Sequence, residues 1–274
     1  MIKFSVLIPT YNNLNYLKLA IDSIKHNSIY EHEIILHIND GSDGTLNYAK
    51  NNNLIYTHSS ENIGLCSAIN KASGKVSTEY VLYVHDDMYL CKNWDQILED
   101  EIKSLDNDLF YFSGTNYETR DIDMRFNPGN SPEQFNPNDF YNFCMTKNEK
   151  DLQGSHWAPH IISKRLWDVV GGFSEEFNPG DGSDPDFCMK LWRNKVRIFK
   201  SIDKFKVFHF GSTTTRKKNV IKNNGTKKFL LKYGFNPKFF RKYYLNGGAD
   251  SIYDGPLSEP QDSLIKSIDL LINK

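Results

Sequence analysis

The chain opens on a short apolar run, Phe4-Ser5-Val6-Leu7-Ile8, of the kind a strand buried on both faces presents. Leu14, Leu17, Ile21 and Ile24 then recur at helical spacing. A second run, Glu33 to Ile38, ends at Asn39-Asp40-Gly41, and a short helix is expected over 43–51. Leu54-Ile55-Tyr56 reads as a third strand. Asn62 stands where it could cap a helix whose inner face is Leu65, Ala68, Ile69 and Ala72. Tyr80 to Val84 forms a fourth strand and ends at His85-Asp86-Asp87. A helical stripe of Trp94, Ile97, Leu98 and Ile102 and a fifth strand, Leu109 to Phe112, follow. This β-α-β-α order predicts an α/β fold with a mostly parallel central sheet flanked by helices. In such sheets the ligand crevice lies beyond the carboxyl ends of the strands. Pro9-Thr10, Asn39-Asp40 and Asp86-Asp87 all fall at such ends.

Periodicity weakens over 120–149, where Pro128-Gly129, Pro132 and Pro137 predict a long loop with one short helix near 139–145. Regular pattern resumes with His160-Ile161-Ile162, a helix over 164–170, Gly171-Gly172-Phe173 and a helix through Phe187, Leu191 and Trp192. Phe205 to His209 reads as a late strand. Helical patches then end with Leu264, Ile265, Ile268 and Leu271.

Composition narrows the function classes. A net charge of -1 over 274 residues excludes a dedicated nucleic-acid binder, although Arg216-Lys217-Lys218 and Lys227-Lys228 concentrate positive charge late in the chain. The four cysteines, Cys66, Cys91, Cys144 and Cys188, contain no CxxC pair and predict reduced, buried thiols. No run approaches the ~20 apolar residues of a membrane span. The start carries no signal-like pattern, so a cytoplasmic protein with at most peripheral membrane contact is expected.

Several residues are candidates for chemistry, each with a plainer structural alternative. Asp86-Asp87 is either an oxygen-ligand pair for a hard divalent cation or a turn that caps the next helix. Asp40 is either an acceptor for a nucleobase N–H or part of an ordinary strand-to-helix turn. His209 is either a ligand for a manganese-like ion or a hydrogen-bonded strand end. Asp184, in Ser183-Asp184-Pro185-Asp186, is either a helix cap or a general base. Arg216, Lys217 and Lys218 form either a solvated loop or a basic lid over a diphosphate. His156 and Trp157 are either core residues or a stacking surface for a sugar.

Taken in order, Ser5-Val6-Leu7-Ile8-Pro9-Thr10-Tyr11-Asn12, Asn39-Asp40-Gly41-Ser42-Asp43-Gly44-Thr45, Asn62-Ile63-Gly64, His85-Asp86-Asp87, Gly171-Gly172-Phe173, Asp184 to Asp186 and His209 resemble the motif series of family 2 glycosyltransferases. The resemblance spans residues 2 to 215 and implies the GT-A fold, a Rossmann-like sheet with a helical C-terminal extension. It implies that Pro9, Thr10 and Tyr11 border a nucleoside, Asp40 meets the base edge and Asn62 shapes the nucleotide pocket. Asp86 would lie near the ribose or donor sugar. Asp87 and His209 would bind Mn2+ or Mg2+, and Asp184 would be the catalytic base. Two positions depart from the family pattern. His85 replaces the first acidic residue of the D-x-D motif, and Ser183-Asp184 replaces a Glu-Asp pair, which leaves Asp181 and Asp186 as alternative bases.

The implied activity is inverting transfer of a sugar from a nucleoside-diphosphate sugar, UDP-linked by preference, to an acceptor hydroxyl in glycan or polysaccharide synthesis. Residues 1–118 would bind donor, 119–215 acceptor, and 216–274 would form the extension with its lid. The alternatives are a sugar nucleotidyltransferase and an inactive carbohydrate- or nucleotide-binding module. Pro9-Thr10-Tyr11-Asn12 lacks the glycine and basic residue expected of a nucleotidyltransferase phosphate loop.

Overall fold

The computed structural model describes residues 3–211, 223–248 and 251–261. Arg216, Lys217 and Lys218, and the apolar pattern at 264–271, lie outside these described residues. The strands are β1 (Ser5–Tyr11), β2 (Glu33–Asn39), β3 (Ile55–Ser59), β4 (Tyr80–Tyr83), β5 (Met88–Leu90), β6 (Phe110–Tyr117), β7 (Leu152–Gln153), β8 (His160–Ser163) and β9 (Ile198–His209). The α-helices are α1 (Leu14–His26), α2 (Thr45–Asn51), α3 (Leu65–Ser73), α4 (Trp94–Lys103), α5 (Pro137–Thr146), α6 (Lys164–Val170), α7 (Ser183–Arg193), α8 (Gly225–Tyr233) and α9 (Pro237–Tyr243).

All the strands join one sheet in the order β3-β2-β1-β4-β8-β6-β9-β5, with β7 also on β9. The first four run parallel, as the β-α-β-α order predicts. Beyond β4 the sheet is mixed. β8 is antiparallel to both β4 and β6, and β9 is parallel to β6. Two reversals restore direction, so β9 points the same way as β1, β2 and β4. The carboxyl end of β9 therefore reaches the same sheet edge as theirs.

The apolar stripes behave as their spacing predicts. Leu17, Ile21 and Ile24 of α1 and Ile69 and Ala72 of α3 are almost wholly buried. Each large aliphatic or aromatic side chain so buried contributes roughly 1.5–3 kcal/mol. The second half of the core is aromatic. Phe173 and Phe187 stack in parallel at 4.5 Å, and Tyr83 and His160 pack beside them. Cys66, Cys91 and Cys188 are buried thiols, and all four cysteines are free. Among the described residues no helix is long and apolar enough to cross a membrane.

Two helix starts differ from expectation. Asn62 does not cap α3; the cap is Gly64, at φ +85°. Asn62 instead accepts a hydrogen bond from the Gly64 N–H at 3.0 Å. The first-turn N–H of Cys66 donates to Asn178 Oδ1 at 2.9 Å, a partner from the far half of the chain. A side chain at Gly64 would collide with Asn178, and only glycine adopts this φ without strain. At α7 neither Ser183 nor Asp184 is the cap; Gly182, at φ +82°, is.

α8 docks on α7 and on the turn before it through polar contacts. Buried Asp186 accepts from Ser174 Oγ at 2.6 Å and Tyr233 Oη at 2.7 Å, and Lys232 Nζ lies at 2.8 Å. Asp181 Oδ2 accepts from Gly225 N at 2.9 Å, and Asn223 Nδ2 donates to the Asp181 carbonyl at 2.9 Å.

Candidate active site

At the carboxyl edge β2, β1 and β4 are neighbours, so the motifs after them meet. Asn12, at φ +46°, latches the first two loops together. Its Nδ2 donates to Asp40 Oδ2 at 2.7 Å, and its Oδ1 accepts from Gly41 N at 2.8 Å. Asp40 is itself left-handed, at φ +61°, and its Oδ1 accepts from Ser42 N at 3.1 Å. Asp86 is buried and tied back to β1: Thr10 Oγ1 donates at 2.7 Å and Asn13 Nδ2 at 3.1 Å. Pro9 is buried under the edge and Tyr11 is half-exposed at its rim, opposite Asn39. Asn39 Oδ1 holds Ile63 N at 3.0 Å, which brings exposed Asn62 to the same corner.

Asp87 turns the chain into β5, whose Met88 pairs with His209 at the end of β9. Phe210 N donates to the Asp87 carbonyl at 3.1 Å. Ladder bonds thus fix the backbones that carry Asp87 and His209. His209 Nε2 lies 3.3 Å from Asp87 Oδ1, yet it is buried and has no hydrogen bond of good geometry. His85 joins them, its ring 5.7 Å from that of His209. One donor atom each from His85, Asp87 and His209 lie within 4.8 Å of one another. Burial, followed by the neighbouring His209, pushes His85 down to about 4, so its ring is neutral at pH 7. Burial works against charge on His209 too, but the Asp87 carboxylate outweighs it and raises that ring above its ordinary value. Two imidazoles, one carboxylate and an orphaned buried nitrogen form a donor set suited to a divalent ion such as Mn2+.

Asp184 sits in the first turn of α7. Its Oδ1 is sealed from solvent and has no hydrogen-bond partner, and burial pushes the carboxyl up to about 7. The two neighbouring acids are engaged in holding structure, Asp181 on Gly225 N and Asp186 on Tyr233, Ser174 and Lys232. Fully buried Tyr83 links the two sides of the site. Its ring meets His85 at 5.2 Å, and its hydroxyl feels the charges of Asp184, Asp86 and Asp87. A cavity of about 360 Å³ opens at Asp184 and is lined also by His156, Thr226, Phe240 and Arg241. Trp157 is not among its lining residues. The Trp157 ring packs on His156 at 5.1 Å and its Nε1 donates to the Gly114 carbonyl at 3.0 Å.

Sequence reasoning missed three residues here. His85 was visible as a histidine directly before two aspartates, and Asn12 as an asparagine just past a strand. Arg241 had no signal, because only the docking of α9 brings it to the cavity.

The family model for glycosyl transferase family 2 matches residues 5–160, more than half of the chain. Chondroitin synthase of Pasteurella multocida strain Pm70 is 27% identical over 267 residues, covering 90% of this chain and 26% of that protein. The chain thus spans about a quarter of the length of that curated relative. Among solved structures, S. aureus TarS 1–349 superposes with a TM-score of 0.57 at 19% identity, covering 76% of this chain and 60% of that one. TarS has also been solved with UDP-GlcNAc. Mannosyltransferase PcManGT from Pyrobaculum calidifontis, solved with GDP-Man and Mn2+, gives a TM-score of 0.54 at 17% identity, covering 77% of this chain and 57% of that one. At these identities the structural likenesses establish a shared fold.

Proposed function

The chain belongs to glycosyl transferase family 2, and on that premise we propose that it moves a sugar from a nucleoside-diphosphate sugar to an acceptor hydroxyl, with inversion. The observation that carries this reading is that Tyr83 packs its ring on His85 of the His85–Asp87–His209 donor set while its hydroxyl feels the charge of Asp184, whose Oδ1 has no partner. In this reading residues 1–118 bind the donor and residues 119–215 carry the base and acceptor side, within one continuous sheet. A UDP-sugar is the preferred donor, in keeping with the UDP-GlcNAc complex of TarS.

Asp87 and His209, joined by His85, would hold Mn2+ or Mg2+. A divalent cation held there would supply positive charge against the charge building on the diphosphate leaving group. Pro9, Thr10, Tyr11 and Asn62 border the nucleotide, and Asp40, oriented by Asn12, accepts from the base edge. Asp86, fixed by Thr10 and Asn13, orients the donor sugar. Asp184 takes the proton of the acceptor hydroxyl as its oxygen bonds to the anomeric carbon. The bond from that carbon to the diphosphate oxygen breaks, and its electron pair leaves with the nucleotide. His156 lies on the acceptor side of Asp184, with Trp157 supporting its ring.

The test is a panel of nucleotide sugars with and without Mn2+, read by melting temperature and by release of nucleoside diphosphate. Metal-dependent stabilisation and release are expected for at least one donor, with release lost in Asp87→Asn and Asp184→Asn. No stabilisation by any donor, or full release by Asp87→Asn under chelation, contradicts the reading.

A further inference from the structure

The cavity at Asp184 has two walls from distant parts of the chain. One is the start of α7 with His156; the other is α8 and α9, through Thr226, Pro237, Phe240 and Arg241. None of Asp40, Asp86, Asp87 and His209 lines it. A ligand seated there would reach the base through space that the donor-side residues do not line, as an attacking hydroxyl must. At about 360 Å³ the cavity suits a small ligand such as one or two sugar rings.

Its charge is specific. The lining carries two acids, Asp181, which accepts from Gly225 N, and Asp184, whose carboxyl burial pushes up to about 7, so that roughly half of it is protonated at pH 7. Arg241 is the one fixed cation among the described lining residues. Its Nε donates weakly to the Gly247 carbonyl at 3.4 Å, which orients the guanidinium. Its two terminal nitrogens make no hydrogen bond and no ion pair among the described residues. Arg241 acts electrostatically on the His156 ring, so the guanidinium and the imidazole share this space. A planar fork with two open donors matches a carboxylate or phosphate in a paired contact. Phe240 and Pro237 add apolar surface for the C–H face of a sugar.

Building on the transferase reading, we propose that this cavity is the acceptor site and that it selects a sugar bearing an anionic group, a carboxylate or a phosphate, which Arg241 grips. Arg241 is then a specificity-determining residue contributed by the C-terminal helices.

Binding of three probes to the full chain, followed by NMR titration, tests this. The probes are p-nitrophenyl β-glucuronide, its neutral counterpart p-nitrophenyl β-glucoside, and methyl glucoside 6-phosphate. The wild type should bind one of the acidic probes at least about tenfold more tightly than the glucoside, and the tighter acidic arm identifies the group. The His156 ring signals should shift on that titration. Arg241→Ala should bring the ratio to within about twofold, while Arg241→Lys keeps part of it; melting curves check that both variants fold. Equal binding of all three probes, binding of none, a ratio that survives in Arg241→Ala, or a silent His156 overturns the proposal. Nucleotide-sugar turnover by the wild type is a separate measurement. Its absence beside an intact ratio would sink the transferase reading and leave an anionic-sugar site standing.

Discussion

Asp184 combines a sealed, unpartnered oxygen with a carboxyl pushed up to about 7, and both follow from burial. As the base it works deprotonated, so turnover should rise as pH increases through about 7 and fall on the acid side, well above the range of a free aspartate. A pH–rate profile checks this. Stability runs the other way. A folded-state value raised above the unfolded one favours folding while the group is protonated, and that benefit fades as pH rises through about 7. Asp184→Asn should therefore slow transfer by roughly 10²–10⁴-fold, yet at pH 8 melt about 2–4 °C above the wild type. Calorimetry reads the second effect; a lower melting temperature would contradict the burial argument. At the other side of the site, Asp87→Asn and His209→Ala should each weaken Mn2+ binding about tenfold or more, measured by isothermal titration. Single residues differed in how legible they were. Asp87 and His209 end strands, and strand ends can be read from apolar runs. His85 reads as a departure from the motif until β9 brings His209 beside it, and then it becomes a third donor. Asn12 gains its meaning from two turns at positive φ that no periodicity reports.

Elements built from long apolar runs were readable: β1, β2, β4 and the end of β9 stand where the runs predicted. β5 and β7 have three and two residues, too short to leave a pattern. That β8 slips between β4 and β6 is a matter of pairing across the chain, which local pattern does not carry. The contact of α8 with α7 was equally hidden, because it rests on Asp186, a residue that sequence alone offered as an alternative base. With one carboxylate holding Tyr233, Ser174 and Lys232, Asp186→Ala leaves two hydroxyls without their acceptor and Lys232 with Glu176 as its remaining carboxylate. It should cost about 1–3 kcal/mol in urea unfolding, whereas an exposed control such as Asp123→Ala should fall within about 0.5 kcal/mol. Gly225 sits against the Asp181 backbone, with no room for a side chain. Gly225→Val should therefore displace the start of α8 from the Asp181–Gly182 turn, read as faster limited proteolysis.

For the molecule as a whole, ligand binding and folding are linked. A nucleotide sugar at 100 times its dissociation constant should add about 2.7 kcal/mol to stability, visible as a melting shift that requires the metal. The fold could be read because the order of runs dictates the sheet; the acceptor side could not, because its second wall arrives from helices more than forty residues beyond Asp184. The pairing of Met88 with His209, and the bond from Phe210 N to the Asp87 carbonyl, have a further consequence. The two backbone segments that would grip an ion are spaced by main-chain bonds that do not depend on it. Chelation should then behave like removing a key from a lock: the tumblers stay aligned, circular dichroism barely changes, and adding Mn2+ back restores turnover without refolding.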